Sequence, residues 1–532
     1  MYILPTVDSR LHQQTVADLL RRTARRESAR VAIRCGEVTW TYDQLYTLST
    51  KVAAGFADLG VTVGDRVAVL AKNSHWVACA RFALAHCGAV LVPINWMLGA
   101  EEIAYILRHS GAKVLCVDSQ FAGIGKEAAA NGTAVERLIW LPGEARGASP
   151  PDMTTLDELT AATAHPPLAL DSRALLQIIY TSGTESTPKR VMLSHDAVIS
   201  QYVSCLVDIE ISHDDVILHA MPLFHCAQLD AFLGPSVYVG GTNIITGNTK
   251  PEHLLQLIEH YGITSFFAPP TIWISLLRSG AFDQYNLESL RKGYYGASSM
   301  PLAVLEEMQV RLPQTRLWNV YGQTEIAPLA TALQPEDQVR KAGSVGRPVL
   351  NVETRVVTED GVDVSCGEIG EIVHRSPHLL SGYFKDEARS AEAFAGGWFH
   401  SGDLATIDDE GYITVVDRKK DMIKTGGENV ASREVEEMIY RLDAVAEVAV
   451  VGLPDTVWVE SVTAVIVLKS GTALTESSVV EHCRSRMAHF KAPKRVVFTE
   501  ALPKSPSGKV LKRLLRQGLS ETEASACIDR GS

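Results

Sequence analysis

Short apolar runs alternate with amphipathic segments through the first two thirds of the chain. RVAVLA (66–71), AVLVPI (89–94), KVLCVD (113–118) and RLIWL (137–141) are each long enough for one buried strand. Between them lie helical patterns such as EEIAYILRHSG, in which Ile103, Ile106 and Leu107 share one face. Strand and helix in alternation predict parallel sheets covered by helices. Phe82–Ala100 carries no formal charge over 19 residues, the length of a membrane span. His86, Gly88, Pro93 and Asn95 interrupt it, so it reads as the end of a buried helix, a turn and a strand. The stretch 143–171, rich in Pro, Ala, Gly and Thr, reads as a surface connection.

After about residue 340 the rhythm changes. VETRVVTEDG, EIGEIVHRS and DEGYITVVDRKKDMI are shorter strands with Gly and Asp turns, as in a small β-rich subdomain. AVAEVAVVGL and VTAVIVL then supply strands for a last α+β domain. The pattern predicts an α/β protein: a large N-terminal domain of helix-covered sheets (1–419, with the β-rich part at about 340–419) and a small C-terminal α+β domain (420–532).

Length and charge narrow the picture. A chain of 532 residues is too long for one core. The net charge of −12 argues against non-specific nucleic-acid binding. The charge is uneven, however: ten basic residues and the single acid Glu500 lie between Arg484 and Arg516, which reads either as a solvated face or as a surface for a small polyanion. The nine cysteines include no CxxC pair and fit reduced thiols in a cytoplasm. MYILPTVDSR lacks the basic start and apolar core of a signal peptide.

The chemistry begins at YTSGTESTPKR (180–190), behind the apolar run LLQII. Leu175–Ile179 reads as a buried strand. The hydroxyls of Thr181, Ser182, Thr184, Ser186 and Thr187, with backbone N–H groups, can donate to phosphate oxygens. Lys189 adds a mobile positive charge suited to a polyphosphate. It is not a Walker loop, since no second glycine precedes Lys189 and Arg190 follows it. Nor is it a Rossmann turn, which needs GxGxxG. Ser186–Lys189 and Lys424–Gly426 fit the S-x-x-K and K-T-G elements of penicillin-recognising hydrolases, but the S-x-N or Y-x-N element between them is missing.

The loop resembles instead the phosphate-binding motif of the AMP-forming adenylating superfamily, which includes the acyl-CoA synthetases. The likeness continues in order: YGQTE (Tyr321–Glu325), GWFHSGD (Gly397–Asp403), DRKKDMIKTGGENV (Asp417–Val430) and PKSPSGKVLKR (Pro503–Arg513) are similar to the family's later motifs. The PLFH segment, HFKAPKRVVF and the single-chain layout resemble fatty-acyl and aryl-CoA ligases.

The resemblance implies a two-step reaction using ATP, Mg²⁺ and coenzyme A. A hydrophobic carboxylic acid is activated to an acyl-adenylate with release of pyrophosphate, then transferred to the thiol. A separate carrier protein as acceptor, or a weakened protein that only binds nucleotide, are the alternatives. The resemblance implies Lys509 bridging carboxylate and α-phosphate, and Lys189 on the polyphosphate beside Thr181, Ser182, Gly183 and Thr184. Glu325 and Thr184 hold Mg²⁺. Tyr321 stacks on adenine, with Gly296, Ala297 and Ser298 on its other side and Gly322 and Thr324 close by. Asp403 and Arg418 hold the ribose, and His225 lies near the acyl carboxylate. Lys420 is the hinge, and rotation about it brings up Lys424 with the Gly426–Gly427 loop for the thioester step. Phe224, Phe266, Phe267, Tyr294, Tyr295 and Ile326 are candidate acid-lining residues. No membrane span or nucleic-acid partner is implied; the enzyme is expected in the cytoplasm, as a monomer or homodimer.

One departure stands out. The family loop reads T-S-G-T-[TE]-G-x-P-K-G, and this chain has Ser186 and Arg190 in place of two glycines. If either position needs φ > 0, the change costs about 1 kcal/mol or more. The expectation is a stiffer loop, Arg190 crowding or contacting phosphate, and faster pyrophosphate exchange on restoring either glycine.

Overall fold

The computed structural model describes residues 13–145, 147, 149–150, 152–164, 168–181, 188–298, 300–426, 428–455, 457–504 and 510–519. The chain forms two compact units: one from Met1–Thr181, Pro188–Glu353 and Arg375–Ala393, the other including Thr354–His374 and Phe394–Ser532.

The first unit holds two large sheets. In one, the strands run in the order Gly382–Tyr383, Lys189–Ser194, Leu175–Thr181, Val90–Pro93, Arg66–Leu70, Val114–Val117, Arg137–Trp140 and Thr154–Thr155. From Leu175–Thr181 onward all neighbours are parallel, and the first two pairings are antiparallel. The four apolar runs of the sequence supply four of these strands. The second sheet carries Arg316–Gly322, Lys292–Gly296, Ser265–Phe267, Val216–His219, Thr242–Ile245 and Val31–Cys35 in parallel, with antiparallel strands at both edges. This is the α/β architecture that the alternating pattern predicts.

The uncharged stretch at 82–100 resolves as expected. The helix His75–Cys87 stops at Gly88 in the left-handed conformation, φ 71°, and the strand Val90–Pro93 follows. No helix among the described residues is long and apolar enough to cross a membrane. The surface-connection reading of 143–171 needs correction: this stretch also sends Met153, Leu156 and Leu159 into the core. Pro and Gly density showed the absence of long elements there, and spaced single apolar residues carry no periodic signal.

A buried polar knot lies inside this unit. Arg81 donates from Nη2 to Asp230 Oδ1 at 2.7 Å, and their side chains are 2% and 0% exposed. Gln177 and Tyr202 also donate to Asp230, at 2.7 and 3.2 Å. Burial drives the Asp230 carboxyl above its usual range against the pull of Arg81. Arg81→Met therefore strands a buried carboxylate and is expected to cost about 3–5 kcal/mol. Urea denaturation measures this. The double variant Arg81→Met with Asp230→Leu removes both charges and should recover most of the loss.

In the second unit, Glu353–Val357, Gly370–Arg375, Phe399–Ile407 and Ile413–Arg418 form a four-stranded sheet. Glu428–Val430, Ile423–Thr425, Val459–Leu468 and Val445–Asp455 form another, with Arg495–Phe498 parallel to Val459–Leu468. Helices Ser432–Tyr440 and Glu476–Arg484 bury Val435, Ile439, Val479 and Cys483 in its core. Asp417, on the strand Ile413–Arg418, ties the four-stranded sheet to the helix Ser432–Tyr440 by accepting from the backbone N–H and the hydroxyl of Ser432, both at 2.6 Å.

Candidate active site

The strands Leu175–Thr181 and Lys189–Ser194 are the two stems of the phosphate loop, with Tyr180 opposite Arg190 and Thr181 opposite Lys189. Ser182, Gly183, Thr184 and Ser186 lie outside the described residues, as do Gly427 and Lys509. Side chains alternate along a strand, so Lys189 and Arg190 point to opposite faces. Lys189 meets Glu325, Nζ to Oε1 at 2.8 Å, with Glu325 almost fully buried. Tyr383 donates its hydroxyl to the same Oε1 at 3.0 Å and lies 3.4 Å from Lys189 Nζ. Burial pushes the Glu325 carboxyl up. The Lys189 charge and the hydrogen bonds from Lys189 and Tyr383 outweigh it, so the group stays below its usual range, ionised.

Arg190 does not behave as the sequence suggested. It occupies ordinary strand conformation and is absent from the positive-φ residues, so no glycine is needed there. Its guanidinium pairs with Asp386 at 3.0 Å and reaches the Tyr105 hydroxyl at 3.4 Å, on the face away from Lys189. Strand alternation explains the difference: a residue next to the phosphate lysine must face the other way.

Glu325 sits on the single turn Thr324–Ile326, which follows the strand Arg316–Gly322. Gly322 is fixed by packing, since a Cβ there would lie 1.8 Å from the Pro328 carbonyl oxygen. Gly296 has a similar reason, with Val320 O only 2.3 Å from where a Cβ would sit. Sequence reasoning gave Gly296 to the approach of a flat ring; close pairing of the strands Lys292–Gly296 and Arg316–Gly322 already demands it. Ala297 follows in the left-handed region, φ 64°, and both it and Ser298 are exposed. Tyr321 is half-buried at the end of its strand.

His225 is half-buried and caps the short helix Cys226–Gln228, its Nδ1 accepting from the Ala227 N–H at 3.2 Å. Accepting there requires that Nδ1 carry no hydrogen. Cys226 Sγ donates to Thr324 Oγ1 at 3.4 Å, which ties the His225 turn to the Glu325 turn. Phe224 meets Trp96 edge to face at 6.2 Å. The other lining candidates, Phe266, Phe267, Tyr294, Tyr295 and Ile326, are buried in the core of this unit. Tyr294 stacks on Trp318 and spends its hydroxyl on Ile209 O at 2.7 Å.

In the second unit Asp403 and Arg418 face each other across paired strands, Nε to Oδ1 at 3.1 Å. Lys420 is exposed in the turn that follows Arg418. Lys424 is exposed on the strand Ile423–Thr425, and Gly426 follows at φ 61°, its N–H donating to Trp458 O. Lys494 lies 4.5 Å over the Trp458 ring and donates to Thr425 Oγ1 at 2.7 Å.

Two groups escaped the sequence reading. Tyr383 stands in SGYFKD, a run without periodicity, and only the antiparallel pairing of Gly382–Tyr383 with Val191 and Met192 brings it to Glu325. Cys226 looked like one more scattered thiol. Its neighbour His225 was the only signal at that turn.

Comparison with known proteins shows the family. Residues 20–384 match the family described as AMP-binding enzyme, and 434–509 match the AMP-binding enzyme C-terminal domain. A feruloyl-CoA synthase of Amycolatopsis sp is 35% identical, over 93% of this chain and 97% of that protein. A long-chain-fatty-acid–CoA ligase of Mycobacterium tuberculosis is also 35% identical, over 91% of this chain and 94% of the relative. The crystal structure of an anthranilate CoA ligase in complex with anthranoyl-AMP superposes with a TM-score of 0.87 at 26% identity, covering 95% of this chain and 97% of that one. The chain belongs to the AMP-binding enzyme family and is an AMP-forming ligase of the acyl-CoA synthetase type.

Proposed function

We propose that the enzyme joins a hydrophobic carboxylic acid to coenzyme A in two steps. The carboxylate oxygen attacks the α-phosphorus of ATP, and the bond to pyrophosphate breaks. The thiol sulfur then attacks the acyl carbon, loses its proton, and AMP leaves with the former carboxylate oxygen. The observation that carries this reading is the Lys189–Glu325–Tyr383 cluster at the mouth of the phosphate loop. It sets a cation beside a buried, ionised carboxylate where polyphosphate charge must be neutralised.

Glu325 is a hard oxygen donor kept ionised, which fits Mg²⁺, and Thr184 would complete the protein's share of the site. Such an ion would supply charge neutralisation on the phosphates. Lys189 then supports the transferred phosphates, and His225 offers its Nε2 hydrogen to the acid. Tyr321, Gly296, Ala297, Ser298, Gly322 and Thr324 receive the adenine, and Asp403 with Arg418 the ribose. Lys509 serves the adenylation step. The proposed division falls at Lys420, with 420–532 turning as a body to present Lys424, Gly426 and Gly427 to the thiol arm. Free cysteines among the described residues and the demand for ATP and coenzyme A suit a cytoplasmic enzyme.

The relatives named above are CoA ligases for aromatic and long-chain acids. That favours coenzyme A over a carrier protein and an apolar or aryl acid over a small polar one. The retained Lys189–Glu325 pair favours catalysis over mere nucleotide binding. ATP–pyrophosphate exchange across a panel of fatty, cinnamic-type and indolic acids, followed by mass detection of CoA thioesters, tests the reading. Exchange with an apolar acid and a matching thioester are expected; thioester only on a protein thiol would overturn the acceptor.

A further inference from the structure

Both stems of the phosphate loop are strapped down on the face opposite Lys189. On the first stem, Tyr180 meets His109 Nδ1 at 2.9 Å, on the helix Ala100–Ser110. On the second, Arg190 pairs with Asp386 and touches the Tyr105 hydroxyl on the same helix. The segment 383–386 closes the strap. The Phe384 N–H donates to Arg190 O at 2.8 Å, and Lys385 Nζ donates to His109 O at 2.9 Å, near the helix C-terminus. The His109 ring lies 5.9 Å from both the Tyr180 and Phe384 rings. Asp386 also accepts from the Arg389 N–H at 3.2 Å, at the start of the helix Glu387–Ala393.

This arrangement depends on a residue that departs from the family pattern. Arg190 stands where the family pattern has a glycine, and a glycine has no group that could reach Asp386 or Tyr105. Arg190 is also the immediate neighbour of Lys189. Any twist or slip of its strand moves Lys189 relative to Glu325. A charged anchor one residue away, held at two points and mostly buried, removes that freedom.

We propose that Arg190, through Asp386 and Tyr105, is a positioning residue for the nucleotide: it fixes the second stem of the phosphate loop so that Lys189 presents its charge beside Glu325. The inference rests on the proposed adenylating function. It reverses the direction expected from the glycine pattern alone, since restoring glycine should now weaken ATP handling.

The test separates nucleotide from acid. Pyrophosphate exchange is measured for wild type, Arg190→Gly, Arg190→Lys and Asp386→Asn, with KM for ATP and for the acid obtained independently. Asparagine at 386 keeps a helix-capping side chain while removing the charge. Arg190→Gly should raise KM for ATP about tenfold, and Asp386→Asn about threefold, from loss of a charged hydrogen bond. KM for the acid should stay within about twofold, because the proposed acid contact is at His225 and not on this strand. Arg190→Lys should recover most of the loss. An ATP KM that is unchanged or lower in Arg190→Gly, or KM values for ATP and acid that rise together, would overturn the proposal. If Arg190→Gly fails to fold, an unchanged ATP KM in Asp386→Asn overturns it equally. Should wild type exchange with no acid, the functional reading fails. Calorimetric binding of ATP to wild type and Asp386→Asn then decides the inference on its own, with weaker binding to the variant in its favour.

Discussion

Replacing Glu325 with glutamine should slow ATP–pyrophosphate exchange by about 10²–10³-fold, the usual loss when one preorganised electrostatic group is removed from a phosphoryl or acyl site. Glutamine has the same shape, and its carbonyl oxygen can still accept from Tyr383 and Lys189, which now donate to Oε1 at 3.0 and 2.8 Å. The local turn Thr324–Ile326 should therefore survive, with a melting temperature close to wild type. The charge is what disappears. Lys189 loses its opposite charge, and the proposed Mg²⁺ site would lose its hard anionic donor. The Mg²⁺ concentration needed for half-maximal exchange should rise as well. Unchanged exchange in the variant would mean that Glu325 serves only as a structural counter-ion to Lys189.

How far this site could be read in advance depended on which residues carry local signals. Lys189, Glu325, Asp403 and Arg418 stand in short ordered motifs, and the strands that hold Lys189, Asp403 and Arg418 or lead into the Glu325 turn are apolar runs or alternations. The motifs singled out all four residues and set Asp403 beside Arg418, but the Lys189–Glu325 pairing needed coordinates. Which face of a strand a residue takes was harder. Arg190 was drawn toward the phosphate because sequence adjacency suggested proximity, whereas alternation sends it to Asp386, nearly 200 residues along the chain. Tyr383 was invisible for a related reason, as a two-residue strand generates no period. Gly296 and Gly322 were legible as important, but the cause lay in backbone neighbours at 2.3 and 1.8 Å. The aromatic residues Phe266 and Tyr294 looked like a lining from composition alone. A buried aromatic in a core and one facing a ligand have the same sequence signature, and only packing tells them apart.

The other large effect is on stability in acid, and it comes from histidines the reaction does not use. His219 is fully buried, with Nδ1 accepting from Gln228 at 2.6 Å and Nε2 donating to Asn243 Oδ1 at 2.8 Å. His195 Nδ1 accepts the Val16 N–H at 3.2 Å. His378 donates from Nδ1 to Leu329 O at 3.3 Å and takes the Ser204 hydroxyl at Nε2, 3.1 Å away. In each ring one nitrogen must stay unprotonated to accept. Burial, chiefly, pushes His86, His219 and His378 down to about 4 and His195 to about 3, although Asp18 pulls His86 and His195 the other way. The unfolded chain binds these protons from about pH 6.5 downward, while the folded chain resists until near pH 4. Their contribution is thus fully present above pH 6.5 and drains away as pH falls. By about pH 4.5 each site should have cost roughly 2–3 kcal/mol, and the four together on the order of 10 kcal/mol, comparable with the whole stability of a domain. Asp118, Asp208 and Glu436, whose burial raises them, protonate first in the folded state and offset part of this loss. Thermal melts between pH 7.5 and 4.5 should show a melting temperature that is level down to about pH 6.5 and then falls steeply, with unfolding coupled to net proton uptake. His219→Gln keeps an amide able to serve Gln228 and Asn243 and removes one titrating site, so its acid limb should be shallower by about one proton. A melting temperature that stays flat to pH 4.5 would show that these rings are not held neutral by the fold.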